Sequence, residues 1–336
     1  MSCESFSLAW LEVEAKLQAM EATHGLPPAE TAVLTRRVTS LSVLCAAVLI
    51  VAKALVWSFS GSVALLASMA DSGLDLIASS VTFFAVRYAA APPDAEHRFG
   101  HGKAEAFASL TQAGLVFASG ALVGEEAIRH LVHPQPVKAE GLAMLVMVLS
   151  VVLTGVLILA QSRVLRRTGS VAVSGDRAHY AADLASNLIA FAGIGAVALT
   201  GETRIDAAAG LLVALWLVWG AVGVFRQASS QLMDHELSEE ARSRIYKLMT
   251  SDSRVKGVHQ LRTRASGPYV HIQMHADLDP DLSLEDAHQV MVEAEKRVLE
   301  AFPAADIIIH PDPRGRAEPH GGAFAETAHE PGALGS

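Results

Sequence analysis

The chain has 336 residues, 51% of them hydrophobic and only 18% charged, with a mean hydropathy of +0.34, which is too apolar for an ordinary soluble enzyme of this length. A net charge of -9 argues against a nucleic-acid partner, because phosphate binding needs a basic surface. Cys3 and Cys45 are far apart, so neither a disulfide framework nor a thiolate metal cage is indicated.

The first residues lack the basic stretch and apolar run of a signal peptide, and Glu4, Glu12 and Glu14 stand in their place. Within an N-terminal cytoplasmic extension over 1–35, Trp10, Val13, Leu17 and Met20 recur at helical spacing behind Ser7, and Pro27-Pro28 ends the pattern. The acidic polar side of this short helix suits packing against protein, or no fixed position, better than docking on anionic lipid.

Six stretches of roughly 20 apolar residues follow: Val38 to Phe59, Val63 to Tyr88, Phe107 to Ile128, Leu142 to Ala160, Val173 to Leu199 and Ala207 to Phe225. They predict a six-helix transmembrane domain over 36–230. Arg36, Arg37, Arg87, Arg98, Lys103, Arg163, Arg166, Arg167, Arg177 and Arg226 flank one side, against Arg129, Lys138 and Arg204 on the other. This bias places both termini in the cytoplasm. Lys53, near the outer end of the first span, reads as snorkelling to the interface.

Beyond the sixth span the pattern becomes helix, strand, strand, helix, strand, a small α+β domain over 235–313 with helices on one face of the sheet. Its segments are Ser238 to Thr250, Val258 to Thr263, Tyr269 to Ala276, Ser283 to Phe302 and Asp306 to Ile309, with Ser266-Gly267-Pro268 as the hairpin signal. Acidic residues outnumber basic ones here, which either attracts cations or simply solvates the surface. The tail over 314–336, rich in Gly, Ala, Pro, Glu and His, reads as disordered.

Four ionisable residues interrupt the apolar spans: Asp71 and Asp75 in the second, His179 and Asp183 in the fifth. Each pair is spaced i, i+4 and shares one helix face. Turned toward each other, the two faces offer three carboxylates and an imidazole, a tetrahedral site for a divalent metal. A lone intramembrane Asp could serve as a hydrogen-bonding partner of nearby serines, but burying three carboxylates without a cation is prohibitive. A dication leaves the quartet with a formal charge of about -1. Ala70, Gly73, Ala78, Ala181, Ala182 and Ala185 let the helices approach closely. Asn187 either supports the site from one turn away or hydrogen-bonds between helices.

Imidazole must be neutral to bind metal, so protons compete for the same pocket. An inward proton gradient can therefore drive metal outward by alternating access. The donor set suits Zn, Fe(II), Cd, Co or Mn better than Cu(I), which prefers sulfur. Mg or Ca cages normally omit the imidazole, and no organic cofactor is indicated.

The segment Ser68-Met-Ala-Asp-Ser-Gly-Leu-Asp75, the loop His97-Arg-Phe-Gly-His-Gly-Lys103 and the C-terminal histidines occur in an order that resembles the cation diffusion facilitator family. The likeness covers about residues 33–312 and is closest to the bacterial ferrous-iron and zinc efflux branch. It implies a homodimeric, proton-coupled exporter of divalent metal, multi-pass in the inner (plasma) membrane of a bacterium, whose cytoplasmic domain is ferredoxin-like or metallochaperone-like. It also implies a surface metal site at Asp94, His97 and His101, although Gly100 and Gly102 make this a loop in which the histidines could simply be solvated. A two-metal cluster at the dimer interface is implied at His259, His275, His288, His310 and Asp312, with Pro311 a departure from the branch. Such a cluster would make Zn2+, or another of these ions, a regulatory ligand as well as a substrate, since shared ligands link metal to dimer stability.

The resemblance further implies that Lys103 and Asp234 interlock the membrane and cytoplasmic parts, against a reading as two solvated charges. Histidine in the fifth span resembles zinc, cadmium and iron exporters rather than manganese members, so zinc leads and iron is second. Two other functions compete. An intramembrane aspartyl protease also sets two Asp at membrane depth, but has no need of His179. A membrane-bound metal sensor or storage protein would bind the same ions without moving them.

Overall fold

The computed structural model describes residues 26–60, 63–132, 141–200 and 204–316. The helix expected around 7–20 and the tail from 317, with His320 and His329, lie outside the described residues. The chain divides into two compact units, one over 29–233 and one from 234 onward.

The first unit consists of α1 (Pro28–Ser60), α2 (Val63–Ala89), α3 (Ala104–Val132), α4 (Gly141–Thr168), α5 (Val171–Thr200) and α6 (Arg204–Leu232). The shortest, α2, has 27 residues, about 40 Å at the helical rise and longer than a bilayer's hydrocarbon core. Among the described residues, α1, α2, α3, α4 and α6 are apolar enough along their length to cross a membrane. The remaining helix, α5, concentrates Asp176, Arg177, His179 and Asp183 in its first half. The architecture is thus a six-helix transmembrane domain followed by an α+β domain. Leu44, Phe84, Phe117 and Leu215 remain exposed on different helices, as expected where the solvent is lipid.

Small residues set the close approaches. A Cβ at Gly120 of α3 would meet the Leu217 Cβ of α6 at 3.1 Å, and one at Gly175 of α5 would meet the Ser109 Oγ of α3 at 2.9 Å. Gly169, with φ of 62°, ends α4 by donating its N–H to the Leu165 carbonyl at 2.9 Å, and α5 begins two residues later. Glu105, fully buried in the first turn of α3, accepts from the Ser170 hydroxyl at 2.5 Å and from the Ala172 N–H at 3.5 Å. Its carboxylate caps the positive N-terminal end of α5 and fixes the start of that helix.

The second unit contains α7 (Glu239–Thr250), β1 (Gly257–Ser266), β2 (Tyr269–Leu278), α8 (Leu284–Ala301) and β3 (Ala305–Pro313). Ser238 and Ser283 cap the two helices through their hydroxyls. Gly267, at φ of 56°, takes the left-handed position that closes the β1–β2 hairpin. The sheet order is β1-β2-β3, with β1 antiparallel to β2 and β3 parallel to it through the α8 crossover. Val270, Ile272, Met274, Ala276 and Leu278 are buried at every second position of β2, in one core with Ile245 and Met249 of α7 and Val290, Ala294 and Val298 of α8. Pro311 sits on the sheet's edge strand, where a missing N–H is tolerated.

The β1–β2 register slips between His259 and Arg262. Gln260 occupies φ of 49° there, so β1 carries one residue more than the facing stretch of β2. Were the same residues paired without this bulge, Gln260 would face His275 and His259 would face Ala276 on the core side. With it, His259 pairs with His275. Ile272 is fully buried at the centre of this core. Ile272→Ala is expected to cost about 2–5 kcal/mol, measured as the unfolding of the cytoplasmic unit in the full-length protein in detergent.

Candidate metal centres

Within the membrane unit, α2 and α5 bring Asp75, His179 and Asp183 together, with one ligand-type atom from each lying within 4.8 Å of the others. His179 Nε2 is 3.1 Å from Asp75 Oδ1 and 3.7 Å from Asp183 Oδ2. Asp75 is 8% exposed and His179 5%. The buried His179 Nδ1 and Asp183 Oδ2 have no hydrogen-bond partner among the described residues. Buried lone pairs of this kind call for a cation or a proton, and two carboxylates beside one imidazole fit a divalent metal.

Asp71 differs from expectation. It is exposed and does not share the convergence within 4.8 Å, although it interacts electrostatically with Asp75 and His179. It stands one turn nearer the α2 N-terminus, about 6 Å along the helix axis. Three like charges have no reason to close on one point unless a cation draws them.

Sequence reasoning also missed two groups. Lys53 does not snorkel: it is 9% exposed, and its ammonium donates to the Ser68 carbonyl at 3.0 Å and to the Ser72 hydroxyl at 2.6 Å, both on α2. A charged side chain in the middle of a helix turns inward when neighbouring helices supply oxygens, and that choice is not visible in its own sequence position. Asp176, 1% exposed, is the second. Its Oδ2 accepts from the Ser42 hydroxyl at 2.6 Å and from the Gln161 amide at 2.8 Å, and its Oδ1 from Ser79 at 3.4 Å and Gln112 at 3.5 Å. One carboxylate therefore joins α1, α2, α3, α4 and α5. Next to His179, the Tyr180 hydroxyl donates to the Ser42 carbonyl at 3.1 Å and lies 2.8 Å from Ser79 Oγ. These contacts hold α5 in the rotation that presents His179 and Asp183 toward α2. The available signal was Asp176 itself, three residues before His179 and on the side of the helix it shares with Tyr180.

The loop between α2 and α3 forms a second cluster. Asp94 Oδ1 is 3.3 Å from His97 Nδ1, and Asp94 Oδ2 is 3.2 Å from His101 Nε2. Asp94 accepts from the backbone N–H of His97 at 2.6 Å and of Glu96 at 2.9 Å, and Gly100, at φ of 80°, turns the chain back so that the two imidazole rings lie 4.6 Å apart. The His97 N–H in particular holds the Asp94 carboxyl below the ordinary carboxylate range. The spacing alone guaranteed no shared face; the turn supplies it.

The third cluster lies across the sheet. His259, His275 and His310 are register neighbours on β1, β2 and β3, as are Asp277 and Asp312 on β2 and β3. Asp312 is 2.8 Å from His275 Nδ1 and 3.3 Å from His259 Nε2 through one oxygen, and 3.3 Å from His310 Nε2 through the other. His288 stands apart from this cluster, exposed on α8. Lys103 donates to the Leu232 carbonyl at 3.3 Å within the membrane unit, while Asp234 Oδ2 lies 3.2 Å from Arg264 Nη1 within the second unit. Arg264 is a partner the sequence did not single out. His271 on β2 lies 3.2 Å from Asp306 on β3.

Residues 40–233 match the profile of the cation efflux transmembrane domain, and 237–314 that of the cation efflux protein cytoplasmic domain. The cation-efflux pump FieF of Shewanella oneidensis is 39% identical over 272 residues, covering 81% of this chain and 92% of that protein. FieF of Citrobacter koseri is 36% identical over 280 residues, covering 83% and 93%. A solved structure of the zinc transporter CzrB in a zinc form is 32% identical and covers 26% of this chain and 99% of its own, at a TM-score of 0.24.

Asp176→Leu strands the buried donors of Ser42 and Gln161 and is expected to destabilise the membrane unit by about 3 kcal/mol or more, with Asp176→Asn milder, read as thermal unfolding in detergent. Replacing His97 and His101 together by Ala is expected to lower zinc stoichiometry in equilibrium dialysis; an unchanged stoichiometry removes the loop site.

Proposed function

The chain belongs to the cation diffusion facilitator family, and from that premise we propose that it exports zinc, with iron(II) second and cadmium also carried, in exchange for protons. Its relatives are efflux pumps rather than enzymes, and divalent metal efflux across the bacterial inner membrane is the activity this membership supports. The observation that carries the reading is the convergence of Asp75, His179 and Asp183 inside the helix bundle. Asp71 completes the set when a dication offsets the repulsion among the carboxylates. Imidazole and carboxylate together favour zinc, iron(II), cobalt, manganese or cadmium over copper(I).

Exchange follows from the donors themselves. Metal binds only when the imidazole is neutral and the carboxylates are ionised, so each ion that leaves makes room for protons at the same atoms. Alternating access then converts a proton gradient into metal movement. In this reading the α2–α3 and α4–α5 loops and both termini are cytoplasmic, which the basic residues at those connections support.

The cytoplasmic domain acts in a homodimer. His259, His275, His310 and Asp312 form its metal cluster, and exposed His288 on α8 is available to a second copy. Metal bound there strengthens the dimer by linkage and reports cytosolic metal to the carrier. Asp94, His97 and His101 provide a further surface site. A storage or sensing protein has no use for a site sunk within the bundle.

The test is zinc flux in sealed vesicles. A proton gradient opposing the zinc movement is expected to accelerate flux several-fold. Asp75→Ala is expected to reduce it by about 100-fold or more, since loss of a mere supporting contact already costs about 10–100-fold in metal affinity. Flux indifferent to the gradient removes proton exchange, and full flux in Asp75→Ala removes the site.

A further inference from the structure

We propose that Lys53 is a charge-balancing residue of the transport site, a fixed cation that brings the metal-loaded quartet to neutrality and keeps its hold on the metal loose enough for release. The inference rests on the transport-site reading above. Lys53 lies on α1, outside every metal-ligand pattern in the sequence. Its ammonium is nevertheless buried and held by two neutral oxygens of α2, the Ser68 carbonyl at 3.0 Å and the Ser72 hydroxyl at 2.6 Å. Ser72 is the residue between Asp71 and the turn that carries Asp75. Lys53 interacts electrostatically with Asp71, Asp75 and Asp183, all three carboxylates of the quartet.

Two consequences follow. Three carboxylates and a dication sum to one negative charge, and Lys53 cancels it. A neutral loaded site can change its exposure within a low-dielectric bundle without carrying an uncompensated charge through it, which is costly at membrane depth. A fixed cation near the site also repels the dication. That repulsion lowers affinity, and for closely related complexes lower affinity is expressed mostly as faster dissociation. The two anchoring oxygens matter for the same reason: they hold the ammonium on groups of α2 that are not themselves the ligands, so it tunes the site without taking the metal's place.

The test compares Lys53→Met, neutral and of similar length, with Lys53→Arg, which keeps the charge, in the full-length protein. Zinc affinity at pH 8 is read as the binding step that Asp75→Ala abolishes, and turnover as flux at saturating zinc in vesicles. Lys53→Met is expected to bind zinc about tenfold more tightly while its saturated flux falls by about tenfold, and Lys53→Arg to stay within about threefold of the parent in both. Tighter binding with slower flux is a signature that a merely structural lysine does not give. Unchanged affinity and flux in Lys53→Met overturn the proposal, as does weakened binding in parallel with lost flux. Should Lys53→Met fail to fold, Lys53→Gln replaces it under the same criteria. Retention of the full binding step and flux in Asp75→Ala is a different failure, which removes the transport site itself whatever Lys53 does.

Discussion

One buried carboxylate organises the membrane unit. Asp176 accepts hydrogen bonds from four other helices, and no bilayer solvent could satisfy it in their place. Its donors are short side chains on α1 and α2 and longer amides on α3 and α4, so each helix must sit at a particular depth and rotation to reach it. Glu105 does a related job at the N-terminal end of α5. Between them the two acids locate the helix that carries His179 and Asp183, while packing of Val116, Ala182, Leu217 and Ala221 closes the other side of α5 against α3 and α6.

The three clusters use the same side-chain types in opposite proportions. In the membrane, one imidazole lies between two carboxylates. In the loop one carboxylate lies between two imidazoles, and in the sheet one carboxylate meets three. Medium explains the contrast. Acids inside the bundle gain from a dication because they have no water to turn to. In the loop a single anion leaves net positive charge on a bound dication, which is tolerable only where water and counterions are near, and in the sheet Asp277, 3.8 Å from His259, adds a second carboxylate. The proposed division of labour, carrying in the bundle and sensing in the cytoplasmic domain, follows from these charge balances.

Much of this was legible in the sequence. Apolar runs of bilayer length announced the spans, i, i+4 spacing announced which acids share a face, and period-two burial in β2 matched the alternation between Tyr269 and Ala276. What escaped depends on direction rather than spacing. Lys53 has a plausible interfacial role when its helix is considered alone, and only Ser68 and Ser72 on the next helix turn it inward. Asp71 obeys the same spacing as Asp183, yet stands out from the group because spacing says nothing of repulsion. The loop histidines needed a turn, fixed by Asp94 and Gly100, that their separation in sequence does not specify. Gln260 is not a residue type that signals a left-handed backbone, so the bulge in β1 was invisible.

That bulge makes the cytoplasmic cluster a matter of parity. A strand shows its side chains to alternate sides, and the single supernumerary residue at Gln260 shifts His259 from the odd column to the even one. Straightening the ladder with Gln260 retained, so that Gln260 faces His275, therefore withdraws the imidazole, with every ligand still encoded and most of the hydrophobic core still in place, whereas deleting Gln260 leaves His259 where it is. Pairing alone thus decides whether this imidazole joins its neighbours, and a census of histidines would not reveal which arrangement a domain has adopted.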